Sequence, residues 1–531
     1  MRMTVKLIFS ILILLLVCCF ISPEPILTPK IGPKTEPVRI EEYNQVLYVS
    51  STSGSNENGD GSAQKPWKSI SFTLDQIQNT DSENRCAVLV SSGDYAHTPI
   101  KMKQDVDLYG GFEPSQWKRN IEKNRTILTG GEERRVVNGA NHARLDGFFI
   151  SNGQVRGKGA GIFCDGVSPT ITNNVFTSNK TLAPIPWNPK FLHEVANDGG
   201  AIYCENGASP IIENNLFAKN MTENGRGAAV AFHNNCNGKI ANNVFLNNTT
   251  GLNDPMRSSD GGAISIFDWS SPIIENNIIL NNQSFASNDG GGLFVALWSS
   301  PIIRKNIFVG NECGDDAGAL FVGGQEHRYD RPLDLLPNEE KFFVKIDSNI
   351  FIGNSNPSEN SGAMRFTMES RGQFNNNIVA HNSGIYFQRS EVTIEKNVIL
   401  DDFLFIETKD GLKPGVIRNN IIWGNFILET AALVRDNNLK NHRKYNFSSS
   451  PDFIDDWIEL YVNTAIYRPK QYITNIFVSN REFEKNELVN RVVKAGERWG
   501  VIKSNNKKEI EIWGDISGEI HLLILPTYHL K

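Results

Sequence analysis

Between Ser168 and Asn311 the chain repeats one twelve-residue phrase, an apolar run broken at fixed places by asparagine. The clear copies are Ser168–Asn179 (SPTITNNVFTSN), Ser209–Asn220 (SPIIENNLFAKN), Asn237–Asn248 (NGKIANNVFLNN), Ser271–Asn282 (SPIIENNIILNN) and Ser300–Asn311 (SPIIRKNIFVGN). Weaker copies cover Phe343–Asn354, Arg371–Asn382, Glu391–Asp402 and Pro414–Asn425. One asparagine holds the same register in all of them: Asn174, Asn215, Asn243, Asn277, Asn306, Asn349, Asn377, Asn397 and Asn420. Five residues later comes a second, from Asn179 to Asn382, then Asp402 and Asn425. Leu145–Asn152 reads as an earlier copy with Gly147 in the first asparagine's place. The steps between first asparagines are 41, 28, 34, 29, 43, 28, 20 and 23 residues. The shortest of these hold short strands and turns but no helical hairpin.

A second apolar strand lies between the phrases: Gly161–Cys164, Gly199–Cys204, Gly261–Ile266, Gly290–Val295 and Ala317–Val322. Its alternation is regular. Ile162, Ile202, Val230, Ile264, Leu293 and Leu320 share one parity, two residues ahead of Cys164, Cys204, Phe232, Ile266, Val295 and Val322. Period two with short turns means strands. A short coil stacked on itself places parallel strands about 4.8 Å apart around one core, and crossover handedness favours right-handed winding. The pattern therefore predicts an all-β, right-handed parallel β-helix solenoid of about ten coils. The stacked asparagines are expected to pair amide to amide as a structural ladder, because a binding site would not need a rung on every coil.

The ends differ. Arg2 and Lys6 precede the apolar run Leu7–Phe20, which reads as an export signal over 1–22, followed by a linker over 23–45. Val17 rather than a small residue precedes Cys18, which argues against a lipid anchor at Cys18 or Cys19. Residues 46–140 are expected to form an N-terminal cap and the first coils, with Ile70, Leu74 and Ile77 on one face of a short helix that plugs the end. The repeats fill 141–450, and 475–531 reads as a small β module with strands near Glu509–Trp513 and Ile520–Leu525.

The repeats resemble those of the right-handed parallel β-helix proteins of the pectin-lyase-like superfamily. GGAI at Gly199–Ile202 and Gly261–Ile264, paired with F-x-x-N at Phe176–Asn179 and Phe217–Asn220, is similar to the motifs of polymorphic outer-membrane proteins. That resemblance implies surface display and adhesion, although the C-terminal region is too short for a translocating barrel. The fold implies no single function, since it hosts lyases, hydrolases and adhesins alike.

Composition narrows the partner. Lys+Arg 53 against Asp+Glu 59 gives a net charge of −6, which argues against nucleic acid. The outward parity of the second strand reads Phe163, Tyr203, Ala231, Ser265, Phe294, Phe321, Arg365 and Tyr386, and Trp269 and Trp298 share one register beside it. Trp269, Trp298, Phe294, Phe321 and Tyr203 are thus candidates for stacking on sugar rings, unless inserted loops cover them as a satellite core. Four residues before the inward Ile/Leu stands a charged column: Lys158, Asp198, Arg226, Asp260, Asp289, Asp316 and Asn360. Asp260, Asp289 and Asp316 on successive coils are candidates for a calcium site, for a catalytic carboxylate pair with Arg365 beside it, or for ordinary Asp-Gly turns. His193 and His233 read as single, unclustered residues. Cys164 and Cys204 share an inward register, as buried thiols or as a disulfide between coils. These features favour a secreted or cell-surface, non-catalytic protein that binds a polysaccharide or another surface partner. The competing reading is a polysaccharide lyase or glycoside hydrolase acting in a groove beside the inserted loops.

Overall fold

The computed structural model describes residues 31–526 apart from 96–98, 184–196, 253–258, 325–341, 358–359, 407–414, 429–432, 436–437, 440–456 and 480. The proposed export signal and His193 lie outside the described residues. The chain winds as a right-handed parallel β-helix with three sheets running along its axis. An entry sheet (Thr170–Thr172, Ile211–Glu213, Lys239–Ala241 and onward) has fourteen strands. A ladder sheet follows each asparagine pair (Val175–Thr177, Leu216–Ala218, Val244–Leu246). A glycine sheet of twelve strands follows the Gly-Gly corner (Ile162–Asp165, Ile202–Glu205, Val230–Phe232). The solenoid starts earlier than the repeat count suggests, because its first entry strands, Gln45–Val49, Cys86–Ser91 and Val106–Phe112, carry no asparagine phrase.

Both asparagines of the NN pair have a task. The first takes the left-handed conformation that turns the chain from one sheet to the next: Asn173 φ 57, Asn214 φ 56, Asn242 φ 56 and Asn276 φ 55. Asparagine tolerates that region better than most residues. The second points inward. Asn277 Nδ2 donates to Asn306 Oδ1 at 2.9 Å and to Ile240 O at 2.9 Å, and its own Oδ1 accepts Asn243 Nδ2 at 3.1 Å and the Asn243 N–H at 2.9 Å. The same pattern links Asn174 to Asn420, and a parallel ladder links Asn179 to Asn382. The second ladder does not continue to Asp402, five residues on from Asn397. Asn382 instead donates to Asp401 Oδ2 at 2.8 Å, one residue early, because the ladder strand there shrinks to Val398–Ile399. Inside the coils the phenylalanines stack, with Phe176–Phe217 and Phe217–Phe245 centroids 4.7 and 4.9 Å apart.

At the N-terminal end the helix Ile70–Gln76 is capped by Ser69, whose hydroxyl accepts the Phe72 N–H, and Ile70, Leu74 and Ile77 enter the main core. Part of the expected linker is fixed on the fold. Gly32 N–H donates to Asn242 O at 2.9 Å, and Thr35 Oγ1 accepts the Ile121 N–H at 3.1 Å.

The C-terminal module is a six-stranded antiparallel barrel. It begins at Ile458, ahead of the expected position 475, with the strand Ile458–Arg468. It packs on the outer face of the ladder sheet, where Leu216, Val244, Ile278, Leu280 and Val309 meet Ile473, Val492, Val501 and Trp513. The sequence reason is plain in VFL, IIL and IFV: strands apolar at every position are buried on both faces. Trp499 of the barrel lies across Gly310 and Gly353; a Cβ at Gly353 would overlap the indole, and one at Gly310 would overlap Asn281 Oδ1 and crowd the indole.

Two predictions follow from the ladder. Asn277→Leu strands the Asn243 amide and the Ile240 carbonyl in the core, at about 1–3 kcal/mol for each unsatisfied group. Urea unfolding should show that loss, and an unchanged midpoint would refute it. Burial pushes the Asp401 carboxyl from its ordinary value of 3.8 to about 6, against the opposing hydrogen bonds from Asn382. Between those values the folded chain holds a proton the unfolded chain has released, so stability falls as pH rises through that window. Asp401→Asn keeps the rung neutral. It should flatten the melting midpoint between about pH 4 and 6 and raise it by a few degrees at neutral pH.

Candidate functional site

The outer face of the glycine sheet carries the chemistry. Its register places Phe163 beside Tyr203, Ser265 beside Phe294, Phe294 beside Phe321 and Phe321 beside Arg365 on successive coils. The column exists as the alternation implies, but it is not an open aromatic surface. Tyr203 is wholly buried, and Phe294 and Phe321 are 3% and 2% exposed. They stack with centroids 5.1 Å apart and form a satellite core with Phe267, Ala296, Leu297 and Ala317. Apolar neighbours on the turn side exclude water from these rings, so they are unavailable for direct sugar stacking.

Trp269 and Trp298 are placed differently. Both are half-buried at the turn that leads from the glycine sheet to the entry sheet, with centroids 5.4 Å apart and planes inclined by 43°. Each is the second of two consecutive left-handed residues, Asp268 φ 55 and Trp269 φ 66, then Leu297 φ 46 and Trp298 φ 55. One coil earlier the same turn is Asn234-Asn235, φ 57 and 65, where asparagine suits the geometry. A bulky side chain in this region carries backbone strain, and such strain gathers at functional sites.

Beneath this rim runs a polar chain that single-residue reading missed. Lys158 Nζ lies 3.1 Å from Glu205 Oε2, which also accepts the Tyr203 hydroxyl at 3.0 Å. Tyr203 Oη lies 3.0 Å from His233 Nδ1, and His233 Nε2 lies 3.4 Å from Asp268 Oδ2. His233 is therefore clustered, and Asp268, the residue before Trp269, ends the chain. The signal was available in the register: Glu205 and His233 follow Cys204 and Phe232, which share one inward position on adjacent coils. Burial first, then the Asp198 and Glu205 charges, push the Tyr203 hydroxyl far above its usual range, so it stays protonated.

The charged column also forms, with arginines at its ends. Arg226 is buried, stacks 4.3 Å over Phe267 and lies 3.3 Å from Asp198 and 4.0 Å from Asp260. Arg365 pairs with Asp316. Asp260 and Asp289 also accept the backbone N–H groups of Asp289 and Asp316 on the following coils, at 3.0 and 3.1 Å, so these carboxylates link coil to coil rather than closing their own Asp-Gly turns. The carboxylates that converge are Asp289, Asp315 and Asp316, whose oxygens lie within 4.8 Å of one another. Asp315 replaces Asp260 in the set expected from the sequence. Three oxygens suit a calcium ion but supply at most half of its usual shell, so backbone carbonyls or water would complete it. Burial, and then the Asp260, Asp316 and Asp315 charges, hold the Asp289 carboxyl well above the ordinary carboxylate range. Cys164 and Cys204 are paired in register as buried free thiols, with Cys236 also buried and free.

The column gives a combined pH and metal prediction. Folded Asp289 keeps a proton that the unfolded chain releases, so metal-free stability falls as pH rises above the usual carboxylate range. Asp289→Asn still accepts the Asp316 N–H through its amide oxygen and should lose that pH dependence. Millimolar calcium should raise the wild-type melting midpoint and leave Asp289→Asn unmoved. Identical midpoints with calcium and with chelator would reduce the column to hydrogen bonds between coils.

Residues 136–327 match the family model described as right handed beta helix region. No curated protein matches the chain. Among solved structures, the GH136 lacto-N-biosidase of Eubacterium ramulus aligns at 11% identity and TM-score 0.35, over 75% of this chain and 68% of the other. A mutant tailspike protein of E. coli bacteriophage HK620, in complex with a pentasaccharide, aligns at 9% identity and TM-score 0.28, over 95% and 98%. The tailspike protein gp49 of Acinetobacter baumannii bacteriophage Fri1, a capsular polysaccharide depolymerase, aligns at 9% identity and TM-score 0.23, over 94% and 92%.

Proposed function

We propose that this chain is a secreted or cell-surface β-helix protein that binds glycan without cleaving it, with its ligand seated on Trp269 and Trp298. The observation that carries the reading is the tryptophan pair itself. Two half-buried indoles at one register occupy backbone positions that suit asparagine and keep part of each ring at the surface, which supports reading the strained turn as kept for what it presents. Indole faces suit the apolar faces of sugar rings, and their polar edges suit hydroxyl groups. Tyr203, Phe294 and Phe321 contribute as the packed base that holds the rim in place. Among the described residues no helix is long and apolar enough to cross a membrane.

The second reading, a lyase or glycoside hydrolase, has the Asp268–His233–Tyr203–Glu205 chain in its favour. Against it, Tyr203 is wholly buried and held protonated, so it offers no base to a substrate. Asp316 is tied to Arg365, which leaves no free, opposed carboxylate pair with it.

A glycan array of wild type against Trp269→Asn/Trp298→Asn tests the proposal. Asparagine relieves the backbone, so the variant should fold with its melting midpoint within a few degrees of wild type. Binding should fall by at least tenfold, in line with about 2 kcal/mol or more for a stacking aromatic at a binding centre. Equal binding by the two proteins would overturn the reading, and shortening of a bound polysaccharide on incubation would favour the enzyme instead.

A further inference from the structure

The docking of the barrel leaves a second polar surface at the far end of the ladder strands. Where the barrel meets the corner between the ladder strands and the second asparagine ladder, an open cleft of about 550 Å³ remains. The solenoid side offers Asn247, Asn281, His381 and Ser383, and the barrel side offers Lys494, Glu497 and the edge of Trp499. The corner is built by the same left-handed residues that shape every coil, Asn247 φ 54, Asn281 φ 53 and His381 φ 60. Glycine replaces them at Gly310 and Gly353, where Trp499 lies across the backbone. The indole therefore forms the end wall of the cleft, fixed by the Asn281 Nδ2 donor to Trp499 O at 3.3 Å.

The charges around it are nearly balanced. Arg498 is engaged by Glu519 at 2.9 Å and approached by Asp515 at 3.9 Å. Lys494 has its ammonium 5.3 Å over the Trp499 ring, and no ion pair to Lys494 or Glu497 is formed among the described residues. One ammonium, of Lys494, and two carboxylates, of Glu497 and Glu312, thus face the cleft without an ion pair among the described residues. Burial, and then the Lys494 charge, hold His381 below its usual value, so it is a neutral imidazole with one donor and one acceptor. Such a lining rejects a polyanion for want of excess positive charge and rejects an acyl chain for want of apolar floor. It offers amide, imidazole, ammonium and carboxylate groups around an aromatic edge, the set that matches ring hydroxyls, and seams between packed units are favoured places for ligands.

We propose that this cleft is a second glycan site that takes a segment of neutral oligosaccharide and bridges barrel and solenoid. It deepens the glycan-binding reading but stands on separate residues, so either site can fail alone. A chain held at both sites would gain avidity without new contacts.

The test uses cello-, xylo-, malto- and chitohexaose as probes, followed by calorimetry and by tryptophan fluorescence. Wild type should bind at least one of them. Lys494→Gln/Glu497→Gln should weaken that binding at least tenfold, and Ser383→Trp, which fills the cleft from the solenoid side, should abolish it. The Trp269→Asn/Trp298→Asn protein should retain a binding event that the cleft variants lose. Circular dichroism melting of each variant separates loss of site from loss of fold. Binding left intact by both cleft variants, or no binding of any hexaose by wild type, would overturn the proposal. Hexaose binding removed by the Trp269/Trp298 changes alone would overturn it while sparing the first site.

Discussion

Each repeat coil turns from the entry sheet to the ladder sheet within two residues, a left-handed residue, most often asparagine but Lys305, Ser348 or Lys396 on three coils, followed by an inward asparagine. The first residue supplies the left-handed backbone, as at Asn242 φ 56 and Asn276 φ 55. The second fills the space inside the corner with an amide that bonds upward, downward and to its own neighbours' backbone. A buried amide with all its groups paired specifies register, whereas one with half its groups paired is costly. Because each rung satisfies the one before it, the ladder fixes how coils stack. That alignment then stacks the inward phenylalanines and gives the outer faces their columns.

Each outer face has a different consequence. The entry sheet is solvated and carries exposed ion pairs, such as Lys239 with Glu213 at 2.9 Å and with Glu275 at 3.1 Å. Such surface pairs add little stability each. The ladder sheet is apolar outside as well as inside, so left bare it would present Leu216, Val244, Ile278 and Val309 to water. The barrel is the remedy, and the cleft beside Trp499 is what remains where its curvature leaves the solenoid corner.

The solenoid, its parity columns and both ladders were legible in the sequence because repetition at a fixed register is a one-dimensional signal. The barrel's position was less so. The all-apolar ladder strands announced a covered face, but nothing in them named the cover. The step from Asp402 to Asp401 was missed because a counted spacing assumes equal strand lengths, and Val398–Ile399 is short. His233 was read alone because its partners, Tyr203 and Asp268, are 30 and 35 residues away in sequence. Parallel register closes that distance, and only the combination of strand pairing with outward parity reveals it. The aromatic column was placed in the right register, yet its exposure depended on the turn that follows, where Leu297 and Ala296 fold over Phe294.

The turn after the glycine sheet therefore does two opposing things with one backbone conformation. Its first left-handed residue, Leu297 on one coil and Asp268 on the coil before, points back onto the sheet, where one closes the satellite core and the other anchors His233. Its second residue, Trp298 or Trp269, is half-buried. Asparagines at both places, as at Asn234 and Asn235, build the same turn with less strain. Stability alone thus accounts for the first position, where the side chain is buried and bonded or packed. At the second position packing contributes too, since Trp298 lies against both the main core and the satellite core, but part of each indole stays at the surface in a conformation that disfavours a bulky side chain. The same paired left-handed turn recurs at Met368 φ 54 and Glu369 φ 61, so this corner sets its backbone first and leaves the second side chain to be chosen by what it packs against or presents.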